Sequence, residues 1–492
     1  MKKTKTTFVA SVCVLIFFVT CSKEKISPEK EVDYKKYPTH IGDILLTKCA
    51  VSGCHNDASK EAAAGLSLSS WDKLFEGSRN GNATIIPFRA DQSFLMFSIN
   101  TFSELGPSLI PTMPYNAAPL SKQEVKTIRD WIEEGAPNVD GFVKFSDPTN
   151  RKKIYVTNQG CDLVGIIDAE TKLLMRYVDV GVSEGIESPH MVKVSPSGDN
   201  WYVCFYSGNV FQKFNSTNDK LVGTVDLGQG SWNTFAISSD NKTAFVVDWN
   251  SNGSIAVVDL ENMSLITRYQ GGGLLQWPHG ITINSSNTAL YVTSQLGNFI
   301  YKIDITNIMN PEIEEVSLET GKSPNAVSSL DPHEIYVSPN KTHYFVTCQK
   351  SNEVRVLQVS NDSLVAIIPT GIYPQEISFS STTPYAFVSC TEDSETFPGK
   401  IGSVSVIDFQ NFTHVKSIFT GYQPHGIAVD DEKKLVYVAN RNANPDGPSP
   451  HHSSDCGGRN GNVTMIDMHT LELIPNYKAE LSVDPYYVAI RF

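Results

Sequence analysis

Ile154-Tyr155-Val156-Thr157-Asn158, followed after a short polar break by Val164-Gly165-Ile166-Ile167-Asp168, decides how the rest of the chain is read. Both runs are rich in β-branched and aromatic residues, which suit a pleated, half-buried strand, and the break between them holds turn formers. The pair returns along the chain. Matching first runs begin at Trp201, Ala244, Leu290, Tyr344, Tyr385 and Val436, and partners of the second run include 255–259, 300–304, 404–408 and 463–467. The interval is about forty to sixty residues, the spacing at which one small sheet per repeat packs around an axis.

A further marker opens the strand ahead of these runs, usually as proline plus a polar residue. It reads Pro189-His190, Trp232-Asn233, Pro278-His279, Pro332-His333, Pro374-Gln375, Pro424-His425 and Pro485-Tyr486. Seven markers imply seven blades. The runs resemble the YVTN repeat family of β-propellers, and the resemblance covers residues 151–492. It implies that the strand opened by each marker lies nearest the axis. The first repeat has no such strand of its own, while 486–492 is a spare strand of the right kind. The C-terminus is therefore expected to complete the first blade and leave no open sheet edge.

On that reading the marker residues His190, Asn233, His279, His333, Gln375, His425 and Tyr486 converge at one mouth of the central channel. Four of the chain's 11 histidines occupy this repeated position. Neutral imidazole is a common ligand for copper, zinc and iron, so the ring has the chemistry to hold copper or another transition metal, or to orient a flat ligand. The alternative is structural: each His donates to a neighbouring loop carbonyl and pins adjacent blades. An insertion in the last repeat, 442–461, carries His451, His452 and Cys456 on the same face. It reads either as a lid with further ligands or as a surface loop.

Ahead of the repeats stands Cys49-Ala50-Val51-Ser52-Gly53-Cys54-His55. Two thiols beside an imidazole can form thioethers to haem vinyl groups while the imidazole binds iron; the alternative is a small disulfide with an incidental His. A second iron ligand is available downstream in Pro111-Thr112-Met113-Pro114-Tyr115, where flanking prolines stiffen the segment around a thioether. Met96, within Phe94-Leu95-Met96-Phe97, reads as core. Residues 34–138 resemble the mono-haem cytochrome c family through the Cys-His tether, the 65–68 and 71–75 segments, the Met113-Pro114 turn and a last helix carrying Trp131. The resemblance implies covalent haem c on Cys49 and Cys54, with His55 and Met113 as axial ligands. Four residues between the cysteines, instead of the usual two, are the departure from the family pattern. In that last helix Ser121 and Glu124 form a capping box, and Val125, Ile128, Trp131 and Ile132 share one face, expected to cover the haem.

Lys2, Lys3 and Lys5 precede an apolar run, 8–20, too short to span a bilayer comfortably and placed where a secretory signal belongs. Cys21 ends that run in a way that resembles a bacterial lipoprotein signal, which implies lipidation; an uncleaved anchor is the alternative. The expected organisation is a signal peptide over 1–20, a tether over 21–36, an all-α cytochrome c-like domain over 37–138, a linker over 139–150 and an all-β seven-bladed propeller over 151–492. The expected location is the cell envelope, membrane-anchored and facing the periplasm or the exterior. The remaining cysteines, Cys161, Cys204, Cys348, Cys390 and Cys456, are too scattered for a disulfide framework to be read.

A net charge of −13 and a pI near 5.4 exclude a nucleic-acid binder and suit docking to a basic redox partner. Neither a Walker loop, a dinucleotide fingerprint nor a Gly-x-Ser-x-Gly elbow is present. The function expected is electron transfer to or from a donor or acceptor protein, with the channel mouth as a metal or substrate site. The alternatives are a membrane-surface binding scaffold with haem as relay or sensor, and a lactonase-type hydrolase, since some lactonases share this propeller.

Overall fold

The computed structural model describes residues 33–443, 456 and 459–491, together with Met1, Lys2 and Thr4. The apolar run at 8–20, Cys21, His451 and His452 lie outside the described residues. Residues 153–491 form seven antiparallel sheets, six of four strands and one of five. The first blade is made as the sequence requires: Pro485–Arg491 lies innermost and pairs with Lys153–Asn158, then come Leu163–Asp168 and Leu174–Asp179. Arg491 faces Lys153 and Pro485 faces Asn158, so the C-terminal strand supplies what the first repeat lacks and the ring closes. In blades two to seven the inner strands begin at Pro189, Trp232, Pro278, Pro332, Pro374 and Tyr422.

The threonine of the repeat has a defined task. Thr157 donates to the His190 carbonyl at 3.2 Å, Thr293 to that of His333 at 2.8 Å, Thr347 to that of Gln375 at 2.7 Å and Thr391 to that of Pro424 at 2.8 Å, while Thr234 bonds the His279 carbonyl. Four of these bonds run from the second strand of one blade, or the residue just after it, to the inner strand of the next, and that of Thr234 runs between two inner strands. Adjacent blades are thus pinned by threonine hydroxyls and backbone carbonyls, and the imidazoles of His190, His279 and His333 add bonds of their own across blades. Buried bonds of this kind contribute about 1 kcal/mol each.

Among the described residues α-helix is confined to four short segments: α1 (Thr39–Ile44), α2 (Trp71–Leu74), α3 (Phe94–Ile99) and α4 (Lys122–Glu133). The capping box on α4 is present, and Val125, Ile128, Trp131 and Ile132 are buried. A separate all-α domain is not what forms, because the apolar core of this segment runs without a break into that of the first blades, joining Tyr37, Trp71 and Trp131 to Tyr155, Trp201 and Phe235. Residues after α4 fold back: Phe142 packs edge-on to Trp71, and Phe145 packs edge-on to Phe75 beneath the Arg151 guanidinium. The polar stretch after α4 thus supplies one core aromatic, Phe145, as well as a connection.

The helical segment lies against the outer side of the first and last blades. Arg89 pairs with Asp179 at 2.9 Å, the Lys478 amide donates to the Asn80 carbonyl at 2.9 Å, and the Glu480 amide donates to Asn82 Oδ1 at 2.8 Å. Ala83 and Ile86 share an apolar cluster with Tyr477, Ala479 and Leu481. A disulfide joins Cys161 in the first blade to Cys456 in the insertion of the last. Wide separation in sequence hid this pair; ring closure brings blades one and seven side by side.

Candidate functional site

Two places gather the residues singled out by sequence. The first is a cavity of about 480 Å³ in the helical segment, lined by Cys49, Cys54 and His55 on one side and Met113 on the other. Leu66, Leu68, Leu95 and Ile99 make its wall apolar, and its size falls in the ~300–1,000 Å³ range of cofactor sites. Cys49 and Cys54 are free thiols, not a disulfide with each other. Burial pushes the Cys49 thiol up to about 12 and lowers the His55 pKa, the latter opposed by hydrogen bonding to the Leu66 backbone. An uncharged thiol and a neutral imidazole therefore face an apolar space. Met113 is fixed by its backbone amide, which donates to the Ser98 carbonyl at 2.7 Å, between Pro111 and Pro114. Met96 is buried core, as its neighbours imply.

The buried face of α4 does not cover this cavity. Its residues are absent from the lining; Trp131 instead packs edge-on to Tyr37 and donates from Nε1 to the Pro137 carbonyl at 2.9 Å. The cover comes from Phe94 and Leu95 of α3 and from the Met113 turn. Arg459 lies over the rings of Phe94 and Phe97, 4.7 and 5.4 Å from their centroids, so the last blade touches the cavity's wall from outside.

The second place is the channel mouth. Ring centroids run His190–Tyr486 4.4 Å, Tyr486–His425 3.7 Å, His425–His333 5.8 Å, His333–His279 4.0 Å and His279–His190 6.3 Å, so the side chains form a closed circle. Asn233 and Gln375 hold the equivalent positions on two further inner strands, both buried, and Gln375 hydrogen-bonds Gln349. Gln159 Nε2 lies 2.7 Å from Nδ1 of His190. Behind Tyr486, Arg441 stacks at 4.5 Å and makes two bonds to Asp484 at 2.7 and 2.9 Å. Burial lowers the pKa of His279 to about 4 and holds those of His333 and His425 well below the ordinary imidazole range, the positive field of neighbouring ring members and, for His425, Arg441 adding to it. These three imidazoles are neutral at neutral pH.

Cys456 was expected among further ligands near this mouth. Its sulfur is instead bonded to Cys161, and a disulfide sulfur is not a thiolate ligand.

Sequence reasoning missed a second tier one residue deeper: Glu334 and Glu376, with Lys193, Tyr336 and Tyr487 below. Burial raises both carboxyls; for Glu334 the Lys193 ammonium opposes the rise, and for Glu376 the neighbouring Glu334 adds to it. Lys193 donates to the Phe235 carbonyl at 2.7 Å, and the Tyr336 and Tyr487 hydroxyls meet at 2.7 Å. The available signal was acidic residues directly after the marker, in strands otherwise apolar. It was obscured because ladder register shifts between Pro332 and Ile335, and between Pro374 and Ile377. At such a bulge the simple in-out alternation fails.

Residues 213–446 match the family model described as "Lactonase, 7-bladed beta-propeller". Uncharacterized protein YncE of Salmonella typhimurium strain LT2 is 26% identical over 201 residues, 40% of this chain and 50% of that protein. The chain thus spans about half the length of the curated relative it matches. A functionally unknown protein from Desulfotomaculum acetoxidans superposes with a TM-score of 0.51 at 14% identity, covering 69% of this chain and 98% of that one. Kuenenia stuttgartiensis hydrazine synthase gives 0.48 at 18% identity, over 63% and 91% of the two chains. Together with the seven sheets, the lactonase-type match and the YncE likeness place residues 153–491 in the seven-bladed β-propeller fold.

Proposed function

We propose that the protein is an envelope electron-transfer protein in which a c-type haem, held by the helical segment, sits on the flank of a seven-bladed propeller. The observation carrying this is the single apolar cavity that brings Cys49, Cys54, His55 and Met113 together from separate parts of the segment. That donor set fits haem c: two free thiols for thioether bonds, an imidazole and a thioether for the iron. When bound, the haem supplies one-electron redox chemistry. The chain's own contribution is to place the donors, to exclude water with Leu66, Leu68, Leu95 and Ile99, and to hold Met113 on a proline-stiffened turn. A thioether ligand and burial both favour a raised potential.

Export and lipid attachment at Cys21 belong to the same reading, because thioether attachment of haem is extracytoplasmic chemistry. The partner would be a donor or acceptor protein with a basic face, matched to the charge of −13. The test is an absorption spectrum of protein exported from cells competent in cytochrome c maturation, taken with its Met113→Ala variant. The reading expects a low-spin haem whose weak long-wavelength oxidised band, the mark of thioether ligation, disappears in the variant.

A lactonase-type hydrolase is the second reading, favoured by the family match over 213–446. Lactone turnover that persists in Cys49→Ala/Cys54→Ala protein would support it over the redox reading.

A further inference from the structure

His279, His333 and Glu334 are buried and offer three donor atoms that lie within 4.8 Å of one another. Nδ1 of His279 stands 3.9 Å from Oε1 of Glu334, too far for a hydrogen bond. Nδ1 of His279, Nδ1 of His333 and both carboxylate oxygens of Glu334 are buried without a hydrogen-bond partner. His425, next along the ring, leaves both of its nitrogens in the same condition. Buried polar groups are ordinarily satisfied, and each one left bare costs about 1–3 kcal/mol. A cluster of them converging on one point calls for a shared partner.

Three features identify that partner as a cation. The His279 and His333 rings each bond the backbone of the next inner strand while Nδ1 has no partner, which leaves that nitrogen to present a lone pair. Each ligand ring is also held from its far side, His279 by hydrogen bonding to the His333 backbone and His333 by the Gln375 backbone, the support that fixes a metal-binding tautomer. The nearby ammonium of Lys193 makes its hydrogen bond to the Phe235 carbonyl, so the Glu334 oxygens keep their lone pairs.

We infer that His279, His333 and Glu334 bind one first-row divalent transition-metal ion of the zinc, copper, nickel or cobalt class at the channel mouth, with His425 as the adjacent candidate for a fourth ligand. Two imidazoles and one carboxylate are borderline donors suited to these ions and a poor set for calcium or magnesium, which prefer all-oxygen shells. Metal–ligand distances of about 2.0–2.2 Å at tetrahedral angles put donor atoms about 3.3–3.6 Å apart, so the present spread, within 4.8 Å, closes with side-chain shifts of about 1 Å. Tyr206 stacks on His190, and Trp249 and Trp277 follow it as a chain of aromatic contacts. The site does not depend on the haem.

The probe is zinc alone. Full-length protein, stripped with a chelator and dialysed against zinc, is expected to retain one equivalent per chain by elemental analysis. His333→Ala and the near-isosteric Glu334→Gln each weaken zinc binding tenfold or more in titration calorimetry, while His343→Ala, on a second strand away from the ring, leaves it unchanged. Circular dichroism confirms that Glu334→Gln is folded. Cys49→Ala/Cys54→Ala protein keeps its zinc, which separates this site from the haem reading. Absence of stoichiometric zinc, or affinity unchanged in both His333→Ala and Glu334→Gln, overturns the assignment.

Discussion

Cys49, Cys54 and His55 reach their cavity from one seven-residue stretch, whereas His279 meets His333 and Glu334 only because two successive repeats are wound to the same phase around an axis. In the first case local spacing carries the chemistry, and the fold adds a wall and one distant donor, Met113. In the second, no local window contains the site; the register of each inner strand does. The cavity therefore depends on a few side chains, and the channel mouth on the integrity of the whole ring.

The largest way to break that contrast is at the closing strand. Deleting 485–491 removes the inner strand of the first blade, together with Tyr486 and Tyr487 from the channel. Loss of cooperative unfolding and of soluble yield is expected, measured by calorimetry and gel filtration. A truncated protein that still melts cooperatively would show that the ring does not need its C-terminal closure.

Next in size is the separation of the two sites. Cys49→Ala/Cys54→Ala should abolish covalently bound haem completely on a haem-stained denaturing gel, yet leave the melting temperature of the propeller within a few degrees. Met113→His should keep the haem and lower its potential by a measurable part of the ~0.8 V range over which axial ligands act, read by redox titration.

The seam between the first and last blades is tested more gently through Cys161–Cys456. Cys161→Ser should cost about 2–5 kcal/mol, read as a lower denaturant midpoint, with reducing agent producing the same shift in the parent protein and none in the variant. The smallest effect lies at the α4 cap. Glu124 is held below the usual carboxylate range, first by Lys48 and then by the Ser121 backbone. Its stabilisation is thus present above an unfolded pKa of about 4.3 and is lost as pH falls through the lower folded value. Ser121→Ala should cost about 1 kcal/mol in urea melts at neutral pH.

Repeat spacing made the propeller legible, down to the spare strand at the C-terminus, because each blade restates the same alternation of apolar runs and turns. The ring of imidazoles was legible for the same reason. Glu334 and Glu376 were not, since a bulge at the start of the inner strand turns two consecutive residues toward the channel where alternation allows one. The Cys161–Cys456 pair and the cover of the cavity by α3 were hidden for a different reason: the first arises from how the last blade meets the first and the second from packing within the helical segment, contacts that no periodicity encodes. The apolar face of α4 was identified correctly, but what it would face was not, because amphipathicity states that a helix is buried and not against what.

The most direct test of the account is extraction of the exported protein with acidified acetone, followed by intact-mass and absorption measurement. The account predicts that the colour stays with the polypeptide, whose mass exceeds that of its mature chain by one haem, carried on a peptide containing Cys49 and Cys54. A colourless protein, or haem that leaves with the solvent, would contradict it.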